Sequence, residues 1–160
     1  MPIPPLKVMK LRSAGLQSAI GATYGMVRNS GTQFHQGWDL EAPVGTPCYA
    51  IDDGYILDVK FHSQFGNCVN MQFPYRPQQT PVNAMAAFYA HLSSAAVTQG
   101  AVVKKGAIIG YTGVTGNASA SAPHLHFEIR QISTASPGLG ATGRVDPGTV
   151  LGYQCFQSKP

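Results

Sequence analysis

Residues 124–130 alternate between polar and apolar side chains. Period-two alternation is the pattern of a β-strand, because successive side chains of a strand point to opposite faces of the sheet. We therefore predict a strand at 124–131 whose apolar face packs on a core and whose other face carries two imidazoles. The alternative is a surface strand with two solvated histidines. The polar face consists of His124, His126 and Glu128, and the apolar face of Leu125, Phe127 and Ile129.

The rest of the chain favours more strands of the same short kind. It contains 18 glycines and 12 prolines among 160 residues, and only 11% of its residues are charged. Frequent turn residues between apolar runs fit short strands better than long helices, and this length suits one domain. A single helix candidate lies at 6–22. The predicted strands are 47–51, 55–61, 67–73, 86–91, 107–111 and 124–131.

Two further patterns contain histidines. His35 and Asp39 have the i, i+4 spacing of a helical ligand pair, but Gly37 lies between them and a Pro- and Gly-rich stretch follows at 43–47. Such residues mark loops, so we expect the pair to span a loop that runs into a strand. His91 ends an apolar run with strand character. The alternatives are a solvated loop histidine with a turn-capping aspartate and, for His91, a half-buried histidine with satisfied hydrogen bonds.

Together these residues indicate a metal centre. The chain has five histidines, and only His62 lies outside the three patterns. Zinc favours imidazole and carboxylate ligands, and a catalytic zinc takes three of them and keeps a fourth position for water. A hydrolase also needs a base near that water. The spacing leaves open which of His124 and His126 would bind the metal.

These motifs, in this order, resemble those of the lysostaphin/LytM-type zinc metallopeptidases, which cut peptide bonds in bacterial cell walls. The similarity extends over about 25–147, most of the chain. It implies one LytM-type peptidase domain at 1–160, with a core at about 25–147 and an extension at each end. The segments that carry the resemblance are 35–47, 53–56, 89–93, 102–110, 112–116 and 123–128.

The resemblance implies a role for each of the five residues. His35, Asp39 and His126 would bind one zinc ion, while His91 and His124 would be catalytic histidines that do not bind it. Which of these two is the general base stays open. The implied fold is mainly β, an antiparallel sheet of short strands with long loops around a zinc groove and little helix.

The implied function is hydrolysis of the peptide cross-links of peptidoglycan, with its peptide stems as the substrate. The alternative within the family is an inactive protein that binds the wall or activates an amidase. Such relatives lose ligands, whereas this chain keeps all five positions. A binding module with a structural zinc is disfavoured, because structural sites usually fill all four positions with protein ligands, often cysteines.

The charge pattern bears on partners and location. The net charge of +4 comes from scattered basic residues, so we expect no nucleic-acid partner but compatibility with an anionic wall. No apolar run predicts membrane insertion. No signal peptide is evident, because 13–27 lacks a continuous apolar stretch. We therefore expect action in the periplasm or outer wall after delivery by a secretion system, such as type VI, or a phage particle, and a periplasmic immunity protein in the producer.

Three cysteines and two aromatic residues complete the predictions. Cys48 and Cys68 lie in predicted strands of one sheet region and Cys155 in the tail, so one disulfide with a free thiol and three free thiols are both open. Trp38 and Tyr75 are candidates either for lining the groove or for packing. The Pro-rich loop at 73–81 is a further candidate for shaping the groove.

Overall fold

Nine strands form one antiparallel sheet, and two further strands form a separate two-stranded sheet. The computed structural model describes residues 1–16, 18–79, 83–135 and 138–152. The main path through the sheet runs β11-β10-β7-β6-β5-β8, while β3 pairs with β10, and β9 pairs with both β4 and β7. The strands are β1 (Gly25–Arg28), β2 (Gln33–His35), β3 (Trp38–Glu41), β4 (Pro47–Tyr49), β5 (Gly54–His62), β6 (Gly66–Phe73), β7 (Met85–Ala95), β8 (Val102–Val103), β9 (Ile108–Thr112), β10 (His124–Gln131) and β11 (Arg144–Val145).

Helix is scarce in the described part of the chain. Two short 3₁₀ turns lie at Ala19–Ala22 and Ile132–Thr134, and one short α-helix, α1, covers Pro147–Leu151. Among the described residues, no helix is both long and apolar enough to traverse a bilayer. The prediction of a mainly β, antiparallel fold with little helix is confirmed.

Strand β10 lies inside the sheet. It pairs with β7 along one edge and with β3 and β11 along the other. Its apolar face enters the core as the alternation predicts, but its polar face is equally buried, and only Gln131 is exposed. The surface-strand alternative is therefore wrong. The other predicted strands form with bounds shifted by a few residues, and β7 extends well beyond the predicted 86–91.

The predicted helix at 6–22 is wrong, because residues 10–12 pair with β3 and residues 13–16 form a turn. Leu6 and Leu11 are buried in the core, and Leu11 forms an isolated bridge with Leu40. Only Ala19–Ala22 winds into a 3₁₀ turn. An open strand edge offers backbone partners to an extended segment, and this pairing prevails over local helix propensity.

Backbone hydrogen bonds fix the register of that segment against β3. The Arg12 N–H donates to the Asp39 carbonyl at 2.9 Å, and the Glu41 N–H donates to the Lys10 carbonyl at 2.7 Å. These bonds bring the Arg12 side chain to the strand that carries Asp39. The N-terminal extension is therefore part of the sheet and not an appendage to it.

Candidate metal centre

Three strands bring His35, Asp39 and His126 together. His35 ends β2, Asp39 lies in β3, and His126 lies in β10 opposite Asp39 in the antiparallel register. Gly37 makes the turn between the first two, and a Cβ atom there would lie 2.1 Å from the Phe127 carbonyl oxygen. Only glycine allows the turn to approach β10 so closely. The predicted loop running into a strand is what the structure shows.

The three side chains form a compact set of metal donors. One ligand atom from each lies within 4.8 Å of the other two. Asp39 Oδ1 lies 2.8 Å from His126 Nδ1 and 3.1 Å from His35 Nε2. All three residues are at most 5% exposed. Two imidazoles and a carboxylate in this arrangement suit a zinc site with an open fourth position.

The outer ring nitrogens of both histidines indicate that a cation fits between the inner atoms. His35 Nδ1 donates to the Thr23 carbonyl at 2.7 Å, and His126 Nε2 donates to Glu128 Oε1 at 2.7 Å. In their neutral forms both rings therefore direct a lone pair at the same carboxylate oxygen of Asp39. Acceptors that face each other at this distance need a proton or a metal ion between them. Such outer hydrogen bonds are the usual way in which proteins orient metal-binding imidazoles.

The pKa shifts of the three groups follow from this geometry. Burial lowers the pKa of His35 below its ordinary value despite the hydrogen bond to Asp39. Burial also acts against His126, but its bonds to Asp39 and Glu128 outweigh it and raise the pKa to about 9. The pKa of Asp39 is held well below its usual range, because bonds from His126 and His35 overcome the effect of burial. Without a metal, the two carboxylates therefore favour the protonated form of His126.

His91 enters the same site from β7. Its Nδ1 donates to the Thr115 carbonyl at 2.8 Å, so the unprotonated Nε2 of the neutral ring remains for the groove. Burial, with His126 and His124 nearby, lowers its pKa to about 3. Its backbone φ is 59°, in the left-handed region that non-glycine residues rarely adopt. Strain of this kind is typical of functional positions. His91 is thus fully buried rather than half-buried, and its catalytic role stays a prediction.

An arginine contacts the ring of the second histidine, since Arg12 Nη1 lies 3.2 Å from Nδ1 and 3.4 Å from Nε2 of His124. The Nδ1 of His124 contacts the Ala122 carbonyl at 2.9 Å, and its Nε2 lies 3.7 Å from Asp39 Oδ2. Burial lowers its pKa. The His91 and His124 rings meet edge to face, with centroids 4.9 Å apart. Thus all five predicted site residues converge, with three on the donor set and two neutral histidines beside it.

Glu128 anchors a network that the motifs do not reveal. Its Oε2 accepts from Arg130 Nε at 2.6 Å and lies 3.3 Å from Arg144 Nε. Glu128 and Arg130 are fully buried, and the Arg130 guanidinium lies 4.0 Å from the Phe88 ring centroid. The only sequence signal for Glu128 is its place on the histidine face of β10. Through the bond from His126 Nε2 to Glu128, this network fixes the orientation of the His126 ring.

Two more arginines reach the site from the front, and sequence reasoning also missed them. Arg28 Nη2 donates to Asp39 Oδ2 at 2.6 Å, and Arg12 Nη1 lies 3.6 Å from the same oxygen. Both line a groove of about 280 Å³ that contains the five predicted site residues. The other residues along this groove are Gln33, Phe34, Gln36, Gln64, Phe65, Asn117, Ala118 and Leu139.

Other candidates lie away from the groove. Trp38 is buried in the core, and Tyr75 packs on the Tyr55 ring at 5.5 Å, so both are packing residues. Of the loop 73–81, residues 73–79 are described and do not line the groove. Cys48 and Cys68 are buried free thiols, so no disulfide joins them, and Cys155 lies outside the described residues.

Comparison with known proteins accounts for this arrangement. The profile of peptidase family M23 matches residues 33–147. The chain belongs to peptidase family M23. The matched segment contains all five predicted site residues, whereas Arg12 and Arg28 precede it. The resemblance to lysostaphin/LytM-type metallopeptidases that the motifs predict is thereby confirmed at the level of the family.

Individual M23 proteins extend the likeness. The peptidoglycan DD-endopeptidase ShyA of Vibrio cholerae is 36% identical over 95 residues, which make up 59% of this chain and 20% of ShyA. The chain thus spans about a fifth of the length of that relative. The catalytic domain of the antimicrobial peptidase lysostaphin from Staphylococcus simulans superposes with a TM-score of 0.60 at 29% identity, over 82% of this chain and 87% of that domain. A zinc containing peptidase from Vibrio cholerae gives a TM-score of 0.57 at 27% identity, over 79% and 35%.

Proposed function

We propose that this chain is a zinc-dependent endopeptidase that hydrolyses the peptide cross-links of bacterial peptidoglycan. One observation carries the proposal. Three donor atoms of His35, Asp39 and His126 lie within 4.8 Å of one another, and the neutral rings of His91 and His124 stand beside them. Membership of the M23 family and the names of its relatives support the substrate class.

Each residue has a role in this proposal. His35, Asp39 and His126 hold the metal, and a zinc ion there would supply a Lewis acid and a water acidified to a pKa of about 7. His91 and His124 each keep Nδ1–H on a backbone carbonyl, so Nε2 is the nitrogen of each ring that would take up a proton. In His124 this nitrogen also lies 3.4 Å from Arg12 Nη1. One of them accepts the proton of the attacking water, and the proton later passes to the leaving amine. These contacts do not rank the two rings as base.

Digestion of purified wall tests the substrate and the metal together. We expect one zinc per chain by elemental analysis, and new free amino and carboxyl ends at peptide cross-links by mass spectrometry of the released muropeptides. His35→Ala should abolish both the zinc and the cleavage. The matched control is His62→Ala, because His62 lies outside the groove. Cleavage by metal-free protein, or by His35→Ala protein, would refute the zinc proposal.

The inactive alternative predicts the opposite result. A wall-binding or amidase-activating protein would bind peptidoglycan without releasing new ends and would be indifferent to His35→Ala. The convergence of all five positions in one groove argues for catalysis. We also keep the proposal of a single domain at 1–160 with a core at about 25–147, which the family match at 33–147 supports.

We propose the periplasm or the outer wall as the place of action, because peptidoglycan lies there. Delivery by a secretion system or phage particle, and a periplasmic immunity protein that plugs the groove, stay predictions. Expression in the cytoplasm of a Gram-negative host should be harmless, whereas expression with an added signal peptide should cause lysis that His35→Ala abolishes. Lysis that persists in His35→Ala would contradict the proposal.

A further inference from the structure

Two guanidinium groups converge on one oxygen of the proposed metal ligand. Arg28 Nη2 lies 2.6 Å and Arg12 Nη1 3.6 Å from Asp39 Oδ2. The histidine donors His35 and His126 approach the other oxygen, Oδ1. The arginines therefore occupy the side of Asp39 that faces away from those donors.

The charges at this point do not balance. Asp39 carries one negative charge, which two guanidinium groups and the proposed metal ion share. The groove around them contains no other carboxylate among the described residues, since Asp39 is the only acidic residue that lines it. The remaining positive charge faces the groove, and a desolvated positive charge is stabilised by an anion of complementary shape.

Both arginines are accessible enough to meet a ligand. The Arg28 side chain is 28% exposed and the Arg12 side chain 14% exposed, whereas Asp39 is almost completely enclosed. Nε of Arg12 is buried and has no hydrogen-bond partner among the described residues. Guanidinium groups present several donors in a planar fork that matches a carboxylate. Arg12 Nη1 also contacts the His124 ring, and Arg28 Nε donates to the Gly21 carbonyl. Among the described residues, the donors left for a ligand are therefore Arg12 Nη2 and Arg28 Nη1.

We propose that Arg12 and Arg28 form a carboxylate-binding subsite that selects cross-links with a free carboxylate next to the scissile amide. The proposal rests on the proposed peptidase function and adds its substrate class. The position follows from distance, because nitrogen atoms within 2.6–3.6 Å of a metal ligand can reach only groups close to the reacting carbonyl. A cross-link from D-alanine to meso-diaminopimelate has such a carboxylate on the carbon that bears the scissile nitrogen. A glycine bridge has none there.

The competing explanation is that the arginines only hold Asp39 in place. Substrate selectivity separates the two explanations, because a clamp on Asp39 affects every substrate alike. We would compare two synthetic cross-linked peptides, one with the free carboxylate beside the D-alanyl amide bond and one with that carboxylate amidated. Wild-type protein should cleave the free acid with a kcat/KM about 10- to 100-fold higher, the usual scale for charge-assisted hydrogen bonds.

Arginine variants then assign the selectivity. Arg12→Gln and Arg28→Gln should each lower kcat/KM for the acid by about 10-fold more than for the amidated peptide, because only the acid loses a charge-assisted hydrogen bond. Arg12→Lys and Arg28→Lys should fall in between, since lysine keeps the charge but not the fork. The matched controls are Lys10→Gln, two residues from Arg12 and paired with Glu41 outside the groove, and the surface change Arg76→Gln.

A binding measurement gives a readout that does not depend on turnover. The probe is meso-diaminopimelate with an acetamide in place of the D-alanyl amide, titrated into zinc-loaded protein by calorimetry and compared with its amidated form. We expect the acid to bind at least 10-fold more tightly than the amide. That preference should vanish in Arg12→Gln and Arg28→Gln, with zinc content unchanged.

The outcomes separate the two proposals. Equal losses on both peptides, or equal affinity for acid and amide in the wild type, would overturn the subsite and leave the peptidase proposal standing. Loss of zinc in the lysine variants as well as the glutamine variants would also overturn it, since the arginines would then serve the metal site. If zinc-loaded wild-type protein cleaves neither peptide, the peptidase proposal fails, and the calorimetric preference decides the subsite by itself.

Discussion

Asp39 and Glu128 are two carboxylates with partners of the same kinds and different surroundings. Each contacts one ring nitrogen of His126, Asp39 at Nδ1 with 2.8 Å and Glu128 at Nε2 with 2.7 Å. Each also meets two arginines. Around Glu128 these are Arg130 and Arg144, and around Asp39 they are Arg12 and Arg28.

The difference between the two sets is their access to the groove. Glu128 and Arg130 are fully buried behind His126, whereas Arg12 and Arg28 line the groove. The inner set (Glu128, Arg130 and Arg144) does not line the groove, so it can only orient the His126 imidazole. The outer set (Asp39, Arg12 and Arg28) contains the proposed metal donor and two arginines that line the groove. Under the proposed function, the same pairing of carboxylate and arginine would serve for positioning in one place and for chemistry in the other.

The largest expected effect separates the two carboxylates by zinc content. Asp39→Ala removes one of the three proposed protein ligands, so bound zinc and wall digestion should both fall to background. Glu128→Gln should keep the metal with an affinity about 10- to 100-fold lower, because it acts through His126. Elemental analysis of dialysed protein measures both variants. Full zinc in Asp39→Ala would sink the ligand assignment.

The next largest effects are expected at the histidines. His126 contacts both Asp39 and Glu128, whereas His124 contacts only Asp39. His126→Ala should lose the metal. His124→Ala and His91→Ala should retain it, with kcat lower by about 10²- to 10⁴-fold, the scale for a lost acid–base group. Zinc analysis combined with muropeptide kinetics checks this. If His124→Ala loses zinc while His126→Ala keeps it, the two roles must be exchanged.

The inner set should matter more for stability. Glu128→Gln weakens a fully buried ion pair with Arg130, and breaking such a pair costs about 3–5 kcal/mol in the free energy of unfolding. The control Glu41→Gln removes the exposed pair with Lys10 and should cost less than about 1 kcal/mol. Denaturant unfolding of metal-free protein measures both. Equal costs would mean that the inner network contributes no special stability.

The smallest effect concerns pH in the metal-free protein, where His126 is held as a cation between the two carboxylates. Its folded pKa of about 9 lies above the unfolded value near 6.5, so its contribution is complete below about pH 6.5. That contribution, about 3 kcal/mol, is lost as the pH rises through about 9. Thermal unfolding between these pH values should show the loss in chelated protein and not in His126→Ala. A flat profile in chelated wild-type protein would contradict it.

Much of the site was predictable from local patterns. Alternation in β10 put His124 and His126 on one face, and turn residues around Gly37 correctly argued against a helix between His35 and Asp39. The choice of His126 for the donor set came from the family resemblance. Spacing alone does not distinguish two residues that point the same way along a strand.

The rest depends on contacts between distant parts of the chain. Arg12 reaches Asp39 only because an extended N-terminal segment pairs with β3, and no local pattern in 6–22 indicates that pairing. The predicted helix failed for the same reason. The burial of Glu128 could not be predicted either. A carboxylate on the polar face of a strand is expected to be exposed unless the arginines that neutralise it are known.

The pairing of residues 10–12 with β3 determines where this domain can be truncated and fused to another protein. A fusion that begins at residue 33, where the family match starts, would leave out Leu6, Leu11 and Arg12. Such a chimera would expose the edge of β3 and the apolar surface that the two leucines cover. Fusions of this domain to a new targeting module should therefore include the N-terminal residues, because the folding unit is larger than the segment 33–147 that matches the family.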